Sequence, residues 1–295
     1  MAGDRSAQAA DGLSIYLRAA RRTVGELGVY LNVFLTFARN SLVRDMTFRM
    51  NFLIESLSSL TWMLMNLGFY LLVYQHTSDV AGWDKYQFFA FMATTMIVNA
   101  LVQTFFMPNV DEFAESIRTG GLDFALLKPI DTQFLISLAK VEWASLSNFV
   151  FGVGLLIYSL TQLKEVPSWP QLALYPVFIL CGVMILYSLL AAMAAASIWL
   201  GRNTSLYDFW FYITIFSRYP REIYRGPWGE ILNWFFTFLV PILIVVNVPA
   251  QTVVHEFDRN GWLLALYGVV AAIVSFVASR LLFRWALVSY RSASS

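Results

Sequence analysis

The chain carries apolar runs about twenty residues long, at about Phe52 to Tyr74, Tyr86 to Met107, Val141 to Leu160, Leu172 to Leu200 and Trp262 to Trp285. A run of that length crosses the hydrocarbon layer as a helix with every backbone N–H and C=O bonded internally, which is the condition lipid imposes on a spanning segment. Composition agrees: 58% of residues are apolar and 13% charged, against about 45–50% and about 25% in soluble domains. The fold class is therefore an all-α membrane protein, with about six spanning helices expected.

Other segments read as joints. From Val29 to Met50 the residues Leu31, Phe34, Leu35, Ala38, Leu42 and Met46 recur at helical spacing, with Arg39, Asn40, Arg44 and Arg49 mostly between them. This pattern predicts an interfacial amphipathic helix (29–50) following a polar N-terminal stretch (1–28). His76 to Lys85 is a polar turn, and the prolines of Lys164-Glu165-Val166-Pro167-Ser168-Trp169-Pro170 separate the third and fourth spans. Trp83, Trp143, Trp169, Trp199, Trp262 and Trp285 stand near span ends, as interfacial tryptophans do.

Arginine and lysine placement gives orientation. Arg18, Arg21, Arg22, Arg39, Arg44 and Arg49 precede the first span, Arg118, Lys128 and Lys140 follow the second, and Arg284 and Arg291 close the chain. The positive-inside rule places these regions, including the tail 286–295, in the cytoplasm. One more crossing is then needed between Arg202 and Trp262. Either about 206–218 crosses and about 228–254 dips back as broken helices, or Ile231 to Val248 crosses and Arg218, Arg221 and Arg225 stay inside. Charge alone favours the second.

Several function classes drop out. A net charge of +1 offers no basic patch for nucleic acid. Cys181 is the only cysteine, and His76 and His255 lack metal-ligand spacing. No basic patch followed by an apolar block opens the chain, so no cleavable signal peptide is expected. No lysine follows a glycine, so the phosphate-wrapping loop of an ATPase is missing, and no Ser/His/Asp set or second histidine after His255-Glu256 suggests hydrolysis. Glu55 and Glu142 lie near the cytoplasmic face as interface anchors, and the expected lack of mid-span charge argues against an ion-driven carrier. Neutral polar residues do occur in apolar runs, at Asn66, Asn99, Gln103, Asn148 and Asn247. They suit either a substrate path or interhelical hydrogen bonds. Ala191/Ala195, Ala192/Ala196 and Gly268/Ala272 read as packing faces.

The loop from Pro108 to Lys140 is the most informative segment. Asn109 with Glu112 has capping-box spacing, Arg118 lies in the last turn and Gly120-Gly121 ends the helix. Val110, Phe113 and Ile117 share one face, which predicts a short helix that inserts into a groove on another protein.

This loop resembles that of the ABC-2-type exporter permeases: an acid-rich helix, a glycine turn, a leucine pair and a proline turn over Glu115 to Pro129, then Lys140 before the third span. The resemblance extends to the Arg49-Asn51-Phe52 lead-in and to Ser217-Arg218-Tyr219-Pro220, and covers most of Val29 to Arg284. It implies a permease subunit of an ATP-driven exporter in the bacterial inner membrane, itself without cofactor, whose ATP and Mg are bound by a separate ATP-binding subunit present in two copies. It also implies a second permease chain, identical or sister, and coupling to the ATPase through Phe113, Glu115, Ile117, Arg118, Gly120, Gly121, Leu122, Asp123, Leu126, Lys128 and Pro129. By the same resemblance 228–254 is re-entrant on the outer side, with Pro220, Pro227 and Pro241 at its breaks, which favours the crossing at 206–218. The first, second and fifth spans would line the path, with Asn66, Asn99 and Gln103 near it. Abundant aromatics and few charges suit an amphipathic or lipid-like substrate. The competing class is a non-transporting membrane scaffold or an ATP-independent channel.

Overall fold

The computed structural model describes residues 28–47, 49–163, 167–200, 204–255 and 259–290. The expectations for Arg18, Arg21, Arg22, Lys164, Arg202 and the tail from Arg291 lie outside these residues. The helices in chain order are α1 (28–47), α2 (Arg49–His76), α3 (Lys85–Phe105), α4 (Met107–Thr119), α5 (Gly121–Leu126), α6 (Thr132–Leu138), α7 (Leu146–Gln162), α8 (Trp169–Leu200), α9 (Thr204–Ile215), α10 (Gly226–Trp234), α11 (Leu243–Val254) and α12 (Arg259–Ser289). Among the described residues five stretches have the length and apolarity to cross a membrane: Met50–His76, Lys85–Thr119, Trp143–Gln162, Trp169–Trp199 and Gly261–Ser289. A bent pair, Gly226–Leu239 with Leu243–Val254, brings the number to as many as six.

The polar turn after α2 is a small antiparallel hairpin, β1 (Asp79–Val80) and β2 (Trp83–Asp84). Its two central residues, Ala81 and Gly82, both have positive φ, as a two-residue hairpin with the right twist requires. The Asp79 carboxylate accepts the Gly82 N–H at 2.8 Å. Gln87 then reaches back to the Asp84 N–H at 2.9 Å and starts α3.

The centre of the bundle is α3, α8 and α11. Phe88, Phe89, Phe91 and Val98 of α3, Leu186 of α8 and Val245 and Val246 of α11 are buried together. Lipid is as apolar as these side chains, so close backbone approach rather than water exclusion must favour the contact. Gly182 permits it, since a Cβ there would come within 2.6 Å of the Val245 carbonyl oxygen. On α12 the small residues Ala265, Ala271, Ala272 and Ala286 face inward while Leu266, Ile273, Val274 and Leu281 are exposed. α2 differs from all of these: nothing in its most apolar window is buried.

Each end of the bundle has its own joints. At one end Glu222 accepts from the Trp83 indole (3.1 Å) and from Gln251 near the end of α11 (3.0 Å), while Gln171 at the start of α8 donates to the His255 carbonyl (3.1 Å). At the other end α4, α5 and α6 gather around the last turns of α8 and α12. There the Trp199 and Trp285 rings lie 4.8 Å apart.

α1 divides the stripe expected of it. Ala38 and Ser41 are buried, and Phe34 packs toward Phe105. Leu31, Leu35, Leu42 and Met46 are exposed, a face suited to the bilayer interface. The buried side bonds the lead-in to α7: Ser41 Oγ accepts Val141 N–H (3.1 Å), Asp45 accepts Trp143 N–H (3.2 Å), and the Ala38 carbonyl accepts the Trp143 indole (3.1 Å).

Candidate functional site

The end holding α4 to α6 carries the residues singled out for coupling. α4 starts one residue after α3 stops, with Phe106 as its N-cap and Pro108 in its first turn, where a missing N–H costs nothing. Asn109 is therefore inside the helix, and the expected Asn109/Glu112 capping box does not form. Its buried amide instead donates to the Phe105 and Lys140 carbonyls and accepts Lys140 N–H, each at 2.8 Å. Glu112 pairs with Lys140 at 2.8 Å. Both contacts fasten the start of α4 to the far end of the loop. The C-terminal stop is as read: Gly120 takes φ 75° and its N–H bonds back to the Ile117 carbonyl, a conformation glycine adopts without steric cost.

The expected outward apolar face is used within the chain. Phe113 is 2% exposed, its ring 5.7 Å from Phe283, and Leu122 is fully buried beside it with Ala194, Ala195 and Ala286. Ile117 and Val110 border the same cluster. The segment that does project is the next turn, where Phe124 is 74% and Leu127 81% exposed, with Leu126, Lys128 and Pro129 also exposed. Glu115 and Arg118 pair with each other on the surface of α4. Asp123 lies beside Tyr290, and burial together with that carboxylate raises the Tyr290 hydroxyl above its ordinary value.

Sequence reasoning missed the ion pair that fastens this end. Asp131 caps α6 by accepting Phe134 N–H at 2.9 Å, and its carboxylate takes both terminal nitrogens of Arg280 on α12, one at 2.7 Å. Arg280 also donates to Gln133 (2.9 Å), Gln133 to the Tyr187 hydroxyl of α8 (2.9 Å), and Asp131 N–H to the Tyr30 hydroxyl of α1 (3.2 Å). The Arg280 guanidinium beside Asp131 holds its carboxyl below the usual carboxylate range. One signal was present: an arginine inside the last apolar run, an ionisable residue of the kind that marks a partner or function in lipid.

The mid-span polar residues divide. Asn66 donates to the Trp62 carbonyl of its own helix at 2.8 Å, and buried Asn247 accepts Arg221 N–H at 2.9 Å. Asn99, Gln103 and Asn148 form no side-chain hydrogen bond among the described residues; Gln103 is exposed and the other two half-buried. Asn99 and Gln103 are four residues apart on α3 and share a face. The buried Ser56 hydroxyl on α2 is also unpartnered. No group of three or more His, Cys, Asp or Glu able to hold a metal occurs among the described residues.

Comparison with known proteins gives a single type of match. The model of a family described as ABC-2 family transporter protein matches residues 60–294. No curated protein and no solved structure matches the chain. The matched region runs from within α2 through α4 to α6, the bent pair and α12. This multi-pass, helical chain belongs to the ABC-2 family transporter proteins.

Proposed function

We propose that the chain is the permease subunit of an ATP-driven exporter, working with a separate ATP-binding subunit that holds ATP and Mg. The observation that carries this reading is the exposed turn of Phe124, Leu126 and Leu127 at the end of the bundle, beside a scaffold of α4 to α6 bonded to α1, α8 and α12. Apolar side chains raised on a rigid base suit a groove on a partner. A push on them reaches α12 through Phe113–Phe283 and Asp131–Arg280, and α8 through Gln133–Tyr187. Nucleotide in the partner can thereby bias the spans between inward- and outward-open states.

The crossing at about 206–218 belongs to this reading. It is supported by α9 following α8 and leading to Glu222 beside Trp83, and by the 89° bend at Val240–Ile242, around Pro241. α11 and α9 are each twelve residues long, about 18 Å against a roughly 30 Å core, so this reading rests on the bend and on the Trp83 contact rather than on helix length. Asn99 and Gln103, without a side-chain hydrogen bond among the described residues, suit a seam with substrate or a second permease chain.

The test is to change Phe124 and Leu127 together to Asp. The variant is expected to insert and purify normally yet lose about tenfold or more in co-purification with its ATPase and in stimulated ATP hydrolysis, the loss expected for a removed interface anchor. Undiminished binding of the ATPase would refute the docking surface.

A further inference from the structure

The stretch from Arg218 to Arg225 is the one place where the reading above puts several arginines on the outer side, against the usual charge bias. Their pairing is uneven. Arg221 has Glu222 at 3.8 Å, and Glu222 is already held by Trp83 and Gln251. Arg218 and Arg225 form no ion pair and no side-chain hydrogen bond among the described residues. The Arg218 guanidinium lies over the Phe211 ring at 5.4 Å, and Arg225 is exposed at the start of α10. Glu230, on α10, is exposed and makes no ion pair among the described residues, so it does not neutralise them there.

The same body carries an exposed apolar face. Trp228 is 82% exposed, and Ile231, Trp234, Phe238 and Leu239 are exposed after it. Three contacts bind this face to the arginine stretch. The Phe216 and Phe236 rings stack at 4.4 Å, Asn233 donates to the Arg221 carbonyl at 3.1 Å, and a Cβ on Gly229 would come within 2.9 Å of the Tyr224 backbone. Tyr219, within the stretch, lies beside Tyr70 of α2, one of the helices expected to line the path.

Unpaired guanidinium groups next to exposed aromatics complement one kind of molecule. The planar fork of arginine matches phosphate or carboxylate oxygens, and its charge stays fixed at any working pH. Tryptophan and phenylalanine suit an acyl chain at the bilayer boundary. A neutral or cationic amphiphile would leave both arginines uncompensated. We propose that Arg218 and Arg225 bind the anionic head group of an amphiphile whose tail lies on the Trp228, Ile231 and Phe238 face. This rests on the permease reading and narrows its substrate class. The head group can belong to the exported molecule or to a resident outer-leaflet lipid.

The experiment uses the full chain with its ATPase in phosphatidylcholine vesicles carrying a photoactivatable phosphatidylglycerol, or at equal density a photoactivatable phosphatidylcholine. Labelling within 209–239 is expected to be about fivefold higher with the anionic probe and to fall to the zwitterionic level in Arg218→Gln/Arg225→Gln, as loss of charge-assisted bonds implies. Arg218→Lys/Arg225→Lys should retain part of the excess. Equal labelling by the two probes, or labelling unchanged in the Gln variant, overturns the site. Partner-stimulated ATP hydrolysis in the same vesicles is read separately: its absence counts against the permease reading and leaves the labelling comparison intact. Fluorescent phosphatidylglycerol in the cytoplasmic-side leaflet separates the sources. ATP-dependent transfer that fails in the Gln variant supports the site as one for exported substrate, and anionic labelling without transfer supports it as a resident-lipid site.

Discussion

Phe113 and Phe124 are eleven positions apart in the same stretch between α3 and α7 and have opposite fates. Phe113 faces Phe283 and is buried; Phe124 points away from the chain. Helical spacing identifies the face that Phe113 shares with Val110 and Ile117, but it cannot say whether another segment of the same chain fills that groove. Phe113→Ala should therefore lower stability, by about 3 kcal/mol on the scale of large-to-small core changes, read as an earlier thermal unfolding midpoint in detergent. Phe124→Ala should leave that midpoint in place. Asp131 provides a pH test. Its folded carboxyl lies below the ordinary value because of Arg280, so its stabilisation is present above the unfolded value of about 3.9 and disappears as pH falls through the lower folded value. The difference in midpoint between wild type and Asp131→Asn should hold from neutral pH to about pH 4 and shrink below it. A difference that does not change with pH would remove the carboxylate from the account.

Among the elements, α10 and α11 are the pair on which the choice of crossing turns. α11 is buried from Leu243 to Ala250 and touches α3 and α8, whereas α10 has no buried residue. A run with one proline, Pro241, reads from composition as one broken span; the 89° angle separates it into a buried arm and an exposed one. A cysteine in place of exposed Glu230 is expected to react with an impermeant maleimide added to intact cells. Reaction only after the membrane is opened would favour the crossing at Ile231 to Val248. α2 raises the reverse question, since an apolar helix with no buried window was not separable by sequence from the well-packed α3.

For the whole molecule, that bare α2 is the observation with the widest consequence. Leu57, Trp62, Met65 and Leu72 are exposed along it, and lipid satisfies such a surface as well as protein does. That open apolar face is the reason to expect a pathway shared between two permease chains. Single cysteines placed from Leu57 to Leu72 should give a covalent dimer on mild oxidation in native membranes, with a yield that repeats at helical spacing. Transport by a strictly monomeric permease with its ATPase would overturn this.

The helical membrane class, the glycine stop at Gly120 and the family resemblance were legible in the sequence. Each depends on length, local backbone conformation or the order of short motifs, and none needs a distant partner. Which side of an amphipathic helix faces the chain and which faces out was not legible, because Phe113 and Phe124 are the same residue type and Ala38 is buried while the more apolar Leu42 is exposed. The same holds for Asn109, which has the composition of a cap but binds residue 140 instead, and for Asp131 and Arg280, paired across 149 positions. Tertiary structure decided these, since a hydrogen bond or a buried ring depends on what the fold brings alongside, and lipid gives a sequence no polarity contrast by which to mark the difference.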